Sequence, residues 1–224
     1  MFQFSAVAEA VADLCRGAAR LRNDTDGTDL VSLGSNRIFA VGDQVEVSDC
    51  FGQRELRTVV ATSGLHSVRL DGPISGMYLV GNRASVRLVG DVVPALAWVN
   101  RGVPELLPEL TAARFPCAIV APRQLVQSDE NATNRAVSQD YTVDVYYIRA
   151  RRGAEAEETA LLEEVGKLFN IIMSDPYLGG TCWHSRVDTV AHDREIEQEL
   201  RERGTAVRCM RLAVRGRALA VCPE

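Results

Sequence analysis

The stretch YTVDVYYIRA (141–150), with LLEEVGKLFNIIMS (161–174), DPYLGG (175–180), CWHSRVDTVA (182–191) and AVRCMRLAVRG (206–216) behind it, decides the fold. Tyr141, Val143, Val145 and Tyr147 alternate with Asp144 on the opposite side, which predicts a half-buried strand. Leu161, Val165, Leu168 and Ile172 recur at helical spacing, and Leu162 and Phe169 widen the stripe. Ser174-Asp175-Pro176 ends that helix, because proline lacks the amide and turns its predecessor away from helical dihedrals. Gly179-Gly180 reverses the chain into a strand over Trp183–Ala191, and a last strand runs from Ala206 to Gly216. Strand, helix, strand, strand predicts an α+β layer: a mixed, mostly antiparallel sheet flanked by helices.

Upstream, Phe115–Ala121 (FPCAIVA) reads as a buried strand. Residues 122–138 form a polar connection of 17 positions between two strands, the long arm of a hairpin. Compact domains keep such a connection when it is functional or disordered. A second polar connection, HDREIEQELRERG (192–204), is almost wholly charged and has room for a helical turn or two. Ala95–Leu110 has helical spacing broken by Gly102, Pro104 and Pro108, so it reads as one broken helix or two short ones. From 30 to 92 the texture is short strands separated by turn residues: 44–48, 56–62, 66–70, 77–80 and 84–88. Closing such a sheet removes its exposed edges, which predicts a small all-β, barrel-like module. Residues 2–22 carry Phe4, Val7, Val11, Leu14 and Ala18 three or four apart, an amphipathic helix. The expected division is a helix at 1–24, the barrel at 30–92 and the α/β part at 93–224.

The 224 residues carry a net charge of −5. That sign argues against a chain whose main work is gripping nucleic acid, but suits DNA sliding past without sticking. The six cysteines (Cys15, Cys50, Cys117, Cys182, Cys209 and Cys222) show no Cys-x-x-Cys pair and read as reduced, buried thiols. Glu9 and Asp13 interrupt the first apolar run, so no signal peptide is expected, and no stretch has the length of a membrane span.

Catalytic signals are thin. Cys182, His184, His192 and Cys209 are the nearest approach to a metal set, but lack the close chelating pair of a zinc site. Cys117 with His184 as a nucleophile pair suffers from the burial of Cys117. Glu155, Glu157, Glu158, Glu163 and Glu164 crowd the start of a helix, where its dipole stabilises acids. No phosphate loop, dinucleotide glycine pattern or nucleophile elbow is present. No enzyme activity, cofactor or metal is expected. Arg69, Arg83 and Arg87 on the barrel are candidates for a nucleic-acid backbone, without the aromatic residues that stack on bases.

From Phe115 onward the succession FPCAIVA, polar arm, YTVDVYYIRA, amphipathic helix ending MSDPYLGG, CWHSRVDTVAHD, charged connection and AVRCMRLAVRGRA resembles the tail-terminator proteins of long-tailed bacteriophages. The helix, Asp-Pro turn and Gly-Gly strand entry are the most telling part, and the barrel at 30–92 lies outside that family's minimal form. The resemblance implies a structural virion protein of the phage neck, assembled in the host cytoplasm. It implies a homohexameric ring that caps the tail tube and meets the head-side connector or stopper protein. DNA would pass through the lumen without specific binding, and no membrane would be involved.

A ring needs two different surfaces of one subunit to meet, and the two polar connections are the candidates. Their site residues are Arg123, Gln124, Asp129, Glu130 and Arg135 in the first, and Asp193, Arg194, Glu195, Glu199, Arg201, Glu202 and Arg203 in the second. Carboxylates and arginines alternating along them can set register between subunits. Another head-to-tail joining protein, a stopper or completion protein using the barrel for its main contact, is the second reading. A nucleic-acid-binding module is the third.

Overall fold

The strand at the centre of that reading is β9, Ala136–Ala150, and it is the middle strand of a five-stranded sheet. The computed structural model describes residues 4–102, 114–128, 136–151 and 156–221. The fold is mixed α+β with two sheets. It divides into two units, Met1–Cys15 with Pro94–Glu224, and Arg16–Val93.

In the first unit β7 (Trp98–Arg101), β8 (Cys117–Ser128), β9, β10 (His184–His192) and β11 (Val207–Val221) stand in the order β10-β11-β9-β8-β7. Only β7 and β8 run parallel; the other neighbours are antiparallel. Val143, Val145 and Tyr147 on one face of β9 and Tyr146 and Ile148 on the other are all buried, so the strand is covered on both sides over this length.

Helices α1 (Phe4–Cys15) and α2 (Ala156–Ser174) pack against each other. Tyr147 lies beside Ala160 and Glu164 of α2, which puts these helices on the Tyr147 face. On the Tyr146 face sits α3 (Arg194–Glu202), whose Ile196 and Leu200 cluster with Cys117, Ile119, Ile148 and Cys209.

In the second unit β1 (Ala18–Arg20), β2 (Leu30–Ser32), β3 (Gln44–Ser48), β4 (Arg54–Ser63), β5 (Ser67–Leu70) and β6 (Ser85–Leu88) form a sheet in the order β1-β6-β3-β4-β5-β2. It curls until its two edges meet at a bridge between Leu21 and Leu33. Val31, Leu33, Val45, Val47, Val59, Val68, Tyr78 and Val86 fill its interior.

Three expectations are corrected. The first helix ends at Cys15 rather than 22. Gly17 takes φ +66°, and Ala18–Arg20 pair with β6. A Cβ at Gly17 would fall 2.3 Å from Val93 Cγ1, so this turn admits only glycine without movement. The strand expected at 77–80 shrinks to a bridge between Tyr78 and Thr25, followed by a 3-10 turn at Val80–Asn82. Within the helix expected at 95–110, Trp98–Arg101 is a strand beside Cys117–Val120, while 103–110 fall outside the described residues.

Candidate assembly surface

The polar arm is mostly sheet. β8 continues to Ser128 and β9 begins at Ala136, and β11 runs beside β9 as far as Val221 opposite Ala136. From the Tyr141 rank to that end is five residues of β9, roughly 16 Å of ribbon at the usual rise per residue, three-stranded as far as Ser128 opposite Ser138 and two-stranded beyond. Backbone pairing satisfies every inner strand here, which is how so polar a sequence stays extended. Leu125 and Val126 on β8 are 41% and 45% exposed.

Among the described residues α3 covers one end of the Tyr146 face, and the arginines beyond it are exposed. On β11, Arg211, Arg215 and Arg217 lie an even number of residues apart and share this face. They stand opposite Tyr146, Thr142 and Asp140 of β9. Two register shifts bring further charges onto it. One, between Pro122 and Gln124, accompanies Arg123 reaching Asp144; the other, between Val187 and Thr189, accompanies Asp188 reaching Arg186 and Arg215. Bulges re-aim side chains in this way.

The charges form small clusters. Asp188 takes Arg186 and Arg215, each at 3.3 Å. Asp144, 6% exposed, takes Arg123 Nε at 3.1 Å, and Arg211 stands at 4.0 Å. Arg123 also donates to the Tyr146 hydroxyl. Burial works against the Arg123 charge, yet its bonds to Tyr146 and Asp144 raise its pKa. Arg217 donates twice to Asp140, at 2.7 and 3.1 Å, and these bonds hold the Asp140 carboxyl below the ordinary range. Such bidentate pairs are the directional kind.

The sequence-derived site residues divide. Arg123 lies on this face, and Gln124, opposite Thr142, lines its groove with Asp140, Arg215 and Arg217. Asp129, Glu130 and Arg135 lie outside the described residues. Asp193 is the N-cap of α3, accepting from the Ile196 amide at 3.1 Å. Glu199 pairs with Arg203 within the helix, and Gln198 donates to Glu202 at 3.1 Å. Arg194, Glu195, Arg201 and Glu202 are exposed on α3. Sequence reasoning missed Arg186, Arg211, Arg215 and Arg217, although Arg-x-x-x-Arg-x-Arg over 211–217 already puts three arginines on one strand face.

The remaining candidates are scattered. His192 is opposite Met210 whereas His184 is opposite Arg217, at the far end of the same strand pair, and Cys209 is buried under α3. Cys182 precedes β10 and approaches the Pro176 carbonyl. No group of metal-ligating side chains occurs among the described residues. Burial pushes the Cys117 thiol up to about 12, so it stays protonated at neutral pH. Glu158 meets His192 at 3.1 Å, and Glu164 binds Lys167 and the Ala95 amide; Glu155 is outside the described residues. On the curled sheet Arg69 meets Asp29 at 3.6 Å and Arg87 meets Glu46 at 3.2 Å, while exposed Arg83 sits at φ 55°. No helix among the described residues is long and apolar enough to cross a membrane. No protein-family model matches the chain, and no curated protein aligns with it.

Proposed function

We propose that the chain is a structural assembly protein of a bacteriophage neck, a tail terminator. In this reading its sheet flanked by helices carries the ring-forming part, and the curled sheet is an added small barrel. Copies close into a hexamer that caps the tail tube and presents its other side to the head-side connector or stopper. DNA passes through the hole without specific contact, and no catalysis is involved.

The observation that carries this reading is the ribbon of β8, β9 and β11, which leaves Val126 in solvent on the open charged face and Leu125 in solvent on the opposite one. A lone subunit gains nothing from keeping such strands long and ordered; a neighbouring copy would use them. Exposed apolar residues next to a charged rim are the composition of a protein interface. The reaching element is therefore this ribbon rather than a loose loop.

Negative-stain images and native mass of the purified full chain test it. Six-fold rings that stop the growth of tail-tube polymers are expected. A chain that stays monomeric at its highest soluble concentration overturns the reading. The second reading, a stopper or completion protein, is favoured by Phe51, 80% exposed on a turn held by the Asp49 side chain, which accepts from the amides of Phe51 and Gln53. Phe51→Ser abolishing connector binding while rings still cap tubes would move the main contact to the curled sheet.

A further inference from the structure

The open sheet face has a counterpart on the same chain. Its arginines form the outer layer: Arg186 and Arg215 have 64% and 60% of their side chains exposed, whereas the Asp188 between them has 24%. One carboxylate serving two guanidiniums leaves a positive charge at that cluster. Arg123 and Arg211 share the recessed Asp144, and Asp193 stands 3.9 Å from Arg211, so this second cluster is balanced. The outer layer of this face is thus arginine, with Asp188, Asp144 and Asp193 recessed beneath it and one positive charge left over at the Asp188 cluster.

Residues 16–93 carry no net charge, yet several of their aspartates gather on one rim of the curled sheet. The segment NDTDGTD supplies Asp24, Asp26 and Asp29, and Asp71 joins them. The Leu70 amide donates to the Asp29 carbonyl at 2.8 Å, and the Ile74 amide to the Thr28 carbonyl at 2.9 Å. These bonds stitch 28–29 against 70–74 around an open groove that includes Asp29 and Asp71. Asp26 and Asp71 are exposed, and Arg69 contacts Asp29 alone of the four.

We propose that the arginine face of one copy docks on this aspartate rim of the next copy, a head-to-tail contact repeated around the ring. The inference rests on the ring reading and deepens it, because it names the two surfaces and gives the curled sheet its role. Two unlike surfaces on one chain are what a closing heterologous contact requires, and their opposite signs would steer and register the encounter. A second copy fits better than a nucleic-acid backbone. Asp140, 47% exposed within the face, would repel phosphates but can be met by a mixed protein surface.

The test uses the full chain with two variants, Arg186→Glu/Arg215→Glu on the face and Asp26→Lys/Asp71→Lys on the rim. Assembly is followed by sedimentation velocity at low salt, after thermal melts have established folding. Each variant alone should associate weaker by about tenfold or more per reversed pair. A one-to-one mixture should restore rings in which the two variants alternate, and added salt should weaken wild-type association. Arg186→Gln/Arg215→Gln, which places no acid beside Asp188, should weaken association in the same direction. Rings unaffected by either variant overturn the proposal and leave the ring reading standing. Loss with the face variant alone, without rescue on mixing, also overturns it. So does intact assembly together with retardation of a DNA duplex that the face variant abolishes, which would assign the face to nucleic acid. A monomeric wild type defeats both this proposal and the ring reading.

Discussion

Leu200→Ala should open α3 from the sheet and expose the thiols beneath it. This helix has nine residues, and its buried apolar anchors are Ile196 and Leu200, each 3% exposed. Asp193 caps its start, and Glu197 accepts from the Cys209 amide at 3.0 Å. Truncating a buried leucine costs about 2–5 kcal/mol, and a short surface helix can settle into part of the space, so about 2–3 kcal/mol applies here. Local opening releases α3 without unfolding the sheet. The open population then rises by roughly 30- to 150-fold, at tenfold for each ~1.4 kcal/mol. Cys117 and Cys209 lie under α3 with no exposure, which makes maleimide labelling the readout. The assay belongs in a Cys50→Ser/Cys222→Ser background, because Cys50 is exposed and would react first. Labelling of Cys117 and Cys209 should accelerate by that factor. Leu168→Ala, a change in buried α2 on the opposite face, should leave these rates near the parent's while lowering global stability. Labelling in Leu200→Ala indistinguishable from the parent, or acceleration matched by Leu168→Ala, would refute the picture of α3 as a separate cover.

The remaining predictions probe the sheet itself. Leu168→Asp should abolish folding of the first unit, since a charge at a fully buried position under α2 costs several kcal/mol or more, read as loss of the cooperative melt. Gly216→Ala should lower stability by about 1–3 kcal/mol in a urea titration, because its Cβ would fall 2.2 Å from the His184 carbonyl oxygen and 2.3 Å from the Tyr141 hydroxyl. Above about pH 9 stability should fall. Burial raises the Cys117 thiol to about 12 and Cys209 well above the ordinary range, and Tyr147 is likewise raised to about 12. The unfolded chain therefore loses these protons first. The protonated groups' contribution is complete below the unfolded thiol pKa and disappears as pH rises through the folded values, at up to ~1.4 kcal/mol per pH unit for each thiol. Denaturant melts from pH 8 to 11 on wild type and Cys117→Ala check the sign; a variant with the same pH slope as wild type would remove Cys117 from the account.

How far the fold could be read varied with the kind of force that makes each element. β9 was legible as a strand because Tyr141, Val143, Val145 and Tyr147 recur at every second position, but it is not half-buried as expected, since Tyr146 and Ile148 are buried on its other face; α2 was legible because its apolar stripe spans several turns. The end of α1 was obscured by Ala18, which continues the apolar spacing and by propensity favours helix, although it pairs as strand; Gly17, suited to a left-handed cap, was the overlooked signal. Trp98–Arg101 has no alternation because it is a short parallel edge, fixed by pairing with residues 19 positions later rather than by its own pattern. The polar arm read as loop because its side chains do not report burial there; the pairing partners on β9 and β11 decide its conformation. In 192–204, the cap Asp193 and the anchors Ile196 and Leu200 spell a helix once the sheet gives them somewhere to pack.

The candidate surface was misread for a related reason. Counting charge along a connection treats Asp193 and Glu199 as free to meet a neighbour, whereas one caps α3 and the other is engaged within it. Arginines on β11 were overlooked because a strand in a core-forming sheet is scanned for its apolar face. Yet Leu212 and Val214 face the helices while Arg211, Arg215 and Arg217 necessarily face the other way. Among the described residues the sheet has two helices on one side and one short helix on the other, and Arg211, Arg215 and Arg217 on that second side are exposed. Solvation alone would be met by any polar residues. What distinguishes this side is that Arg215 and Arg186 stand above a shared Asp188, and Arg123 above a buried Asp144, so the cations are fixed in place before anything arrives. Charges already ordered lose less entropy on docking, which, under the proposed ring assembly, favours this face over the self-paired outer side of α3 as the contact between copies.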